Sequence, residues 1–352
     1  MRFRDTLIKI VCVLLAAAFL FAASGRLDQI HNDREELNLV SNPAIENAPP
    51  ALAFATVAMG AFRGIVVDIL WMRAEKLKEE GQFFDAKQLA EWITTLQPRF
   101  AAVWDFHGWN MAYNISVAVP ASNWQERWRW VRNGYELLRD EAIEKNPHEI
   151  SLYRSLAWIF QHKIGGVTDD CHKHYKRELA MAMRQLIRSR DRYDSVTQQD
   201  FRDMMAAPKT IEEFLSEPEA RKLFNDLKEA DPQFSEEKDL PSNYLAMLVH
   251  TKDFDQKAYD VLDDYRESGL LGKLDVFARA YTLRTEWKMD IKLMYELNER
   301  FGPVDPDNPG VHIPLNWEHP DTHAIYWAKL GLNVAGEKGE YSIDEKNTDR
   351  IV

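Results

Sequence analysis

The sequence predicts an all-α protein, and three observations carry the prediction. From about residue 51 to residue 190 nearly every segment places apolar side chains at three- and four-residue spacing, the mark of helix faces. No stretch there alternates with period two for long enough to be a strand, and glycine and proline are few. A set of aromatic, small and proline positions then recurs along the chain. Composition agrees: 45% hydrophobic and 28% charged residues exclude a disordered, collagenous or polytopic membrane chain, and 352 residues allow one large core or two ordinary ones. The net charge of −12 repels phosphate backbones, so nucleic acid is not an expected partner. Cys12 and Cys171 are too few for a disulfide framework or a CxxC-type zinc site.

Residues 1–26 predict a signal anchor or signal peptide. Arg2, Arg4 and Lys9 precede an uncharged apolar run from Ile10 to Ala23, and Arg26 closes it. Positive charge before the run and Asp28, Asp33, Glu35 and Glu36 after it orient the N-terminus to the cytoplasm. The expected location is therefore the cell membrane, single-pass, with the body extracytoplasmic, or secreted if the segment is cleaved. Residues 27–50 are polar, end in Asn47-Ala48-Pro49-Pro50 and read as a spacer. The apolar stretch from Ala51 to Met72 carries Arg63 and Asp68, too costly at a bilayer centre for a second span. Its spacing of Phe62, Val66, Ile69, Leu70, Ala74 and Leu77 predicts one helix face turned to a core.

Helix boundaries follow from capping chemistry. Asn123 with Glu126 three residues on has capping-box spacing after Pro120, and Asn146-Pro147 stops the helix ending at Lys145. Between Val67 and Phe100, Gly81, Phe83, Ala86 and Pro98 occupy the positions of an inter-helix turn, its aromatic, a small second-helix residue and a terminal proline. Trp104 and Gly108 follow Pro98, and Tyr153, Leu156, Ala157 and Phe160 follow Pro147, 49 residues further on. These positions resemble the tetratricopeptide repeat (TPR) family, and with the anchor they resemble membrane-anchored TPR-like bacterial proteins of unknown function. The resemblance covers about 120 residues and includes one regular repeat and two irregular ones. It implies a TPR-like antiparallel helix-pair solenoid over residues 51–190, in which small residues let paired helices approach and aromatics fill the gap.

Residues 191–352 predict a helical C-terminal extension, with helices over Thr210–Ala230, Asn243–Glu267, Leu271–Glu286, Asp290–Phe301 and about Pro320–Leu332. The stretch 301–320 carries prolines at 303, 306, 309, 314 and 320 and predicts an extended loop. Lys338 to Val352 is polar, without a capping signal, and reads as a frayed tail.

Eight of the eleven tryptophans lie between Trp71 and Trp158. The resemblance implies a concave wall of Trp71, Glu75, Asp105, Trp109, Arg154, Trp158 and His162, suited to an extended or helical segment of a partner protein because rigid aromatics give contact area at low entropy cost. Against it stands the reading that these tryptophans are core. In Trp124-Gln-Glu-Arg-Trp128-Arg-Trp130 the expected arrangement is a packed tryptophan face with solvated arginines opposite. His172 and His174, beside Asp169, Asp170 and Cys171, and His319 with His323 at i, i+4 are the metal-ligand candidates; helix capping by Asp169 or Asp170 and loop docking are the favoured readings. P-loop, GxGxxG, G-x-S-x-G and HExxH motifs are absent. The expected function is a membrane-anchored scaffold in an extracytoplasmic envelope complex, without a cofactor. The alternatives are a metal-dependent hydrolase or glycan-binding envelope enzyme and a self-associating spacer.

Overall fold

A computed structural model describes residues 63–187, 196–249, 253–335 and 343–352. The predicted anchor, the spacer and Phe62 lie outside these residues. The chain divides into two units, Met1–Val66 and Val67–Val352, and of the first only the opening residues of one helix are described. Among the described residues the protein is all-α: the only bridge between extended segments is an isolated antiparallel pair, Val304 with His312. No helix among them is long and apolar enough to cross a membrane.

The first helices are α1 (Arg63–Glu79), α2 (Phe83–Leu96) and α3 (Ala101–Trp109). Gly81 joins α1 to α2 with a φ of 76°, a left-handed conformation that favours glycine. The apolar face of α1 is rotated from its expected position: Val67 and Ala74 are buried, while Ile69 faces solvent together with Ile65 and Met72. Trp71 sets this rotation, packing edge-on against Phe106 at 5.0 Å and against Phe100 at 5.8 Å.

Three consecutive helices pass into π-helical turns. Helix α3 continues through Asn110–Ile115, α4 (Trp124–Glu136) through Leu137–Ala142, and α5 (Ile150–Trp158) through Ile159–Ile164. Asn123 precedes α4 but makes no side-chain cap; Glu126 pairs with Arg129 at 2.7 Å, so the expected capping box does not form. Asn146 does stop the α4 segment, donating its side-chain amide to the carbonyls of Ala142 and Pro98, both at 3.0 Å. Helices α3 and α4 cross at glycine: a Cβ on Gly134 would stand 2.7 Å from the Gly108 carbonyl oxygen, and one on Gly108 2.7 Å from the Leu138 side chain. The small residue expected at position 108 is thus a point of close helix approach.

Helix α6 (His172–Ile187) is followed by α7 (Gln198–Ala206), α8 (Ile211–Phe214), α9 (Pro218–Ala230), α10 (Leu240–Val249), α11 (Gln256–Asp264), α12 (Leu270–Thr285), α13 (Ile291–Phe301), α14 (Pro320–Ala335) and α15 (Ile343–Asp349). Two expected helices are each divided. Pro218 starts α9 at its first turn, and Asp255 caps α11 by accepting the Lys257 amide at 3.0 Å. The proline-rich loop is held by Trp317, which is fully buried and donates Nε1–H to Asn298 Oδ1 at 2.9 Å. Asn298 Oδ1 also accepts the Leu315 amide at 3.0 Å. Helix α14 lies along α5, where Gly331 meets the Tyr153 side chain with no room for a Cβ. The frayed tail is corrected by α15, which packs on α5 and α14 with Glu345 and Thr348 buried, and with Ile351 buried just after it. Its polar composition hid this, because the side chains it buries are mostly polar.

Candidate functional site

Two helices 49 residues apart in sequence repeat one local design. In each, an aromatic side chain reaches back six residues to a proline carbonyl: Trp104 Nε1–H donates to Pro98 at 2.7 Å and the Tyr153 hydroxyl to Pro147 at 2.9 Å. Each helix then runs nine residues in α form before its six-residue π-helical turn. The last α-helical residue is a tryptophan in both cases, Trp109 and Trp158, and each keeps 39% of its surface exposed. Other tryptophans of the cluster, Trp104 and Trp128, are core.

The π-helical turns carry the aromatic partners of these indoles. Trp109 stacks on Tyr113 with centroids 4.0 Å apart, and Trp158 on His162 at 5.1 Å. The Tyr113 hydroxyl lies 3.4 Å from His162 Nδ1, so four rings form one continuous row across α3 and α5. Lys163 braces the row from below, its Nζ 5.3 Å from the Tyr113 ring. Lys163 is itself fixed by a buried charge network, donating to Asp169 at 2.6 Å while Arg127 donates to the same carboxylate at 3.2 Å. Burial pushes the Asp169 carboxyl up, but Lys163, the Cys171 amide and Arg127 outweigh it and hold it below its ordinary value. Arg127 was expected among solvated arginines; it is buried instead, because it also donates to the Val119 carbonyl at 2.6 Å.

Beside the indoles opens a cavity of about 470 Å³. Its walls are Asp105 and Trp109 of α3, Arg154, Ser155, Trp158 and Gln161 of α5 and its π-helical turn, and Asn347, Arg350 and Ile351 at the C-terminal end. Arg154 pairs with Asp344 of α15. Burial raises the pKa of Asp105; the Ser155 hydroxyl and Arg154 oppose the rise, and the neighbouring Asp344 charge adds to it. Asp105 Oδ1 is buried without a hydrogen-bond partner. The site therefore offers two indole faces, a guanidinium group already paired to the chain's own carboxylate, and a carboxyl group whose pKa burial raises. Comparison with protein-family models, curated proteins and solved structures returns no match for this chain.

Of the residues expected on the concave wall, Asp105, Trp109, Arg154 and Trp158 come together around this cavity, with His162 stacked behind Trp158. Trp71 and Glu75 do not line it: Trp71 packs on Phe100 and Phe106, and Glu75 pairs with Lys78 at 2.8 Å. Ser155 and Gln161 were missed, although helical spacing from Arg154 and Trp158 points to Gln161. Asn347, Arg350 and Ile351 were also missed, and nothing local to the repeats signals a wall some 190 residues away in sequence.

The histidine candidates have separate partners. His172 Nδ1 accepts from Lys176 at 3.3 Å, and His174 stacks on Trp124 at 4.4 Å. His319 Nδ1 accepts from the Asp321 amide at 3.2 Å. His323 is buried, donating from Nε2 to the Trp317 carbonyl at 2.9 Å. Among the described residues no group of three or more His, Cys, Asp or Glu side chains is placed to hold a metal ion. A second cavity, of about 420 Å³, lies between Trp128, Arg139, Glu178, Glu286 and Trp287. Its Arg139 is buried, donates to both Asp140 oxygens at 2.6 and 2.8 Å and lies over the rings of Tyr135 and Trp287.

Proposed function

We propose that this chain is a membrane-anchored, TPR-like scaffold whose groove between α3 and α5 holds a segment of a partner protein in an extracytoplasmic envelope complex. The observation that carries the proposal is the pair Trp109 and Trp158: equivalent in the 49-residue repeat, equally half exposed, and lining one cavity with Asp105 and Arg154. Aromatic anchors beside a charged group in a concave site are the usual centre of a protein-binding surface. The repeated backbone design supports the TPR-like reading, since each helix follows a proline, carries an aromatic tethered to that proline's carbonyl and has the same length. The groups around the cavity recognise and orient a segment: indole faces cover apolar side chains, and Arg154 fixes a carboxylate.

The test is photo-crosslinking in intact cells from residues placed at positions 109 and 158, followed by mass spectrometry of the adducts. The proposal expects one envelope protein, crosslinked through one segment from both positions. Adducts to many unrelated proteins, or different ones from the two positions, would refute a shared groove.

A further inference from the structure

The groove already has an occupant, and its fit is partial. Helix α15 has seven residues, too few to hold a helix in water without a docking surface. It docks on the surface that the paired indoles mark. Asp344 pairs with Arg154, and seven residues on Ile351 reaches the same cavity, with Asn347 and Arg350 beside it. The Thr348 hydroxyl turns back to the Asp344 carbonyl at 2.7 Å, which ties the carboxylate-bearing turn to the buried face of the helix. With α15 in place the cavity of about 470 Å³ persists, and Trp109 and Trp158 keep 39% of their surfaces exposed. The segment thus engages the guanidinium of the site and leaves part of each indole uncovered.

We infer that α15 is an internal pseudo-ligand, and that the partner is a segment of the same pattern: a helical turn with a carboxylate for Arg154 and, seven residues later, just past the helix end, an aliphatic side chain. A partner segment with larger apolar side chains also covers the indoles, and it displaces α15 on binding. The inference rests on the groove reading above and adds to it the partner's chemistry and a means of regulation. Asp344 holds Arg154, and its charge adds to the burial that raises the pKa of Asp105. When α15 leaves, Arg154 is freed for an incoming carboxylate.

The test uses the full chain and a dye-labelled synthetic peptide of residues 341–352. In the variant Asp344→Lys with Ile351→Ala, the internal segment is repelled by Arg154 and loses its apolar contact. The peptide is expected to bind this variant at least about tenfold more tightly than the wild-type chain, where the tethered α15 competes at a local concentration on the order of millimolar. Adding Arg154→Ala to the variant is expected to remove that binding. Equal affinity for wild type and variant, or no binding to either, would overturn the inference. Hydrogen exchange on the unmodified chain gives a second reading that needs no variant: α15 amides should exchange at least about a hundredfold faster than those of α14, since a displaceable helix opens without global unfolding. Equal protection of the two helices would make α15 an integral part of the core and refute its displacement. Both readouts need only the chain and its own peptide, so they succeed or fail separately from the cellular crosslinking that tests the partner reading.

Discussion

Lowering the pH from 7 to 5 should cost this fold about 4 kcal/mol through two buried histidines. His323 is fully buried and stacked on Phe160 at 4.9 Å; its Nε2 donates to the Trp317 carbonyl, and its Nδ1 has no partner. A second proton would have to sit on Nδ1 in an apolar pocket near Arg139, so burial first, then the Arg139 charge, lower its pKa to about 4. His107 is buried with neither ring nitrogen partnered, and burial, assisted by Lys87, lowers its pKa to about 3. In the unfolded chain both titrate near 6.5. Above that pH both states are neutral and the histidines contribute nothing to the pH dependence. Between 6.5 and the folded values only the unfolded state takes up protons, so stability falls with pH by about 1.4 kcal/mol per unit per histidine. At pH 5 each histidine has lost about 2 kcal/mol. Asp105, Glu136 and Glu286 have raised pKa values and act with the opposite sign, their burial cost easing as pH falls toward their folded values. Comparison with a double variant removes them from the result. His107→Leu installs the residue that Leu156 supplies in the repeat, and His323→Gln retains a donor for the Trp317 carbonyl. Urea denaturation followed by tryptophan fluorescence at pH 7 and pH 5 should show the wild type losing about 4 kcal/mol more than the double variant. Equal losses in the two proteins would refute the reasoning.

Three further outcomes follow from the packing and the site. Trp109→Ala with Trp158→Ala should abolish partner crosslinking from a photo-reactive residue placed at Gln161 of the same cavity, while far-ultraviolet circular dichroism stays near wild type, because both indoles are half exposed; a global loss of helicity would show them to be core. Gly134→Ala should destabilise by about 1–3 kcal/mol and more than Gly108→Ala, since its new Cβ meets a backbone carbonyl and not a side chain that can move; thermal melts rank the two, and the reverse order would contradict the crossing described. Asp169→Asn leaves Lys163 and Arg127 as buried cations without their anion and should cost about 3–5 kcal/mol; a loss below about 1 kcal/mol in denaturant titration would show the network to be solvated.

The sequence was most informative where periodicity and spacing act over short range. The spacing of Pro98, Trp104 and Gly108 from Pro147, Tyr153 and Ala157 located α3 and α5 in register, because each aromatic finds its proline carbonyl six residues back. That register also grouped Asp105, Trp109, Arg154 and Trp158, which share one wall. Long-range pairing was hidden. Arg127 reads as one more arginine on a helix until Asp169, 42 residues on, places it in the core. The rotation of α1 depends on where Trp71 finds Phe106, and the capping of α4 on Glu126 choosing Arg129 over a backbone amide. Helix α15 was least legible: its buried face carries Glu345 and Thr348, so hydropathy marks it as a tail, and only tertiary contact makes it a wall of the site.

Trp109 and Trp158 are proposed to anchor one partner segment, and crosslinking from those two positions is the decisive measurement, with exposed Val249 of α10 as the control position. The same partner peptide is expected at 109 and at 158 and absent at 249. Adducts at 109 and 158 that match those of the control, or that contain only the chain's own residues 347–351, would contradict it.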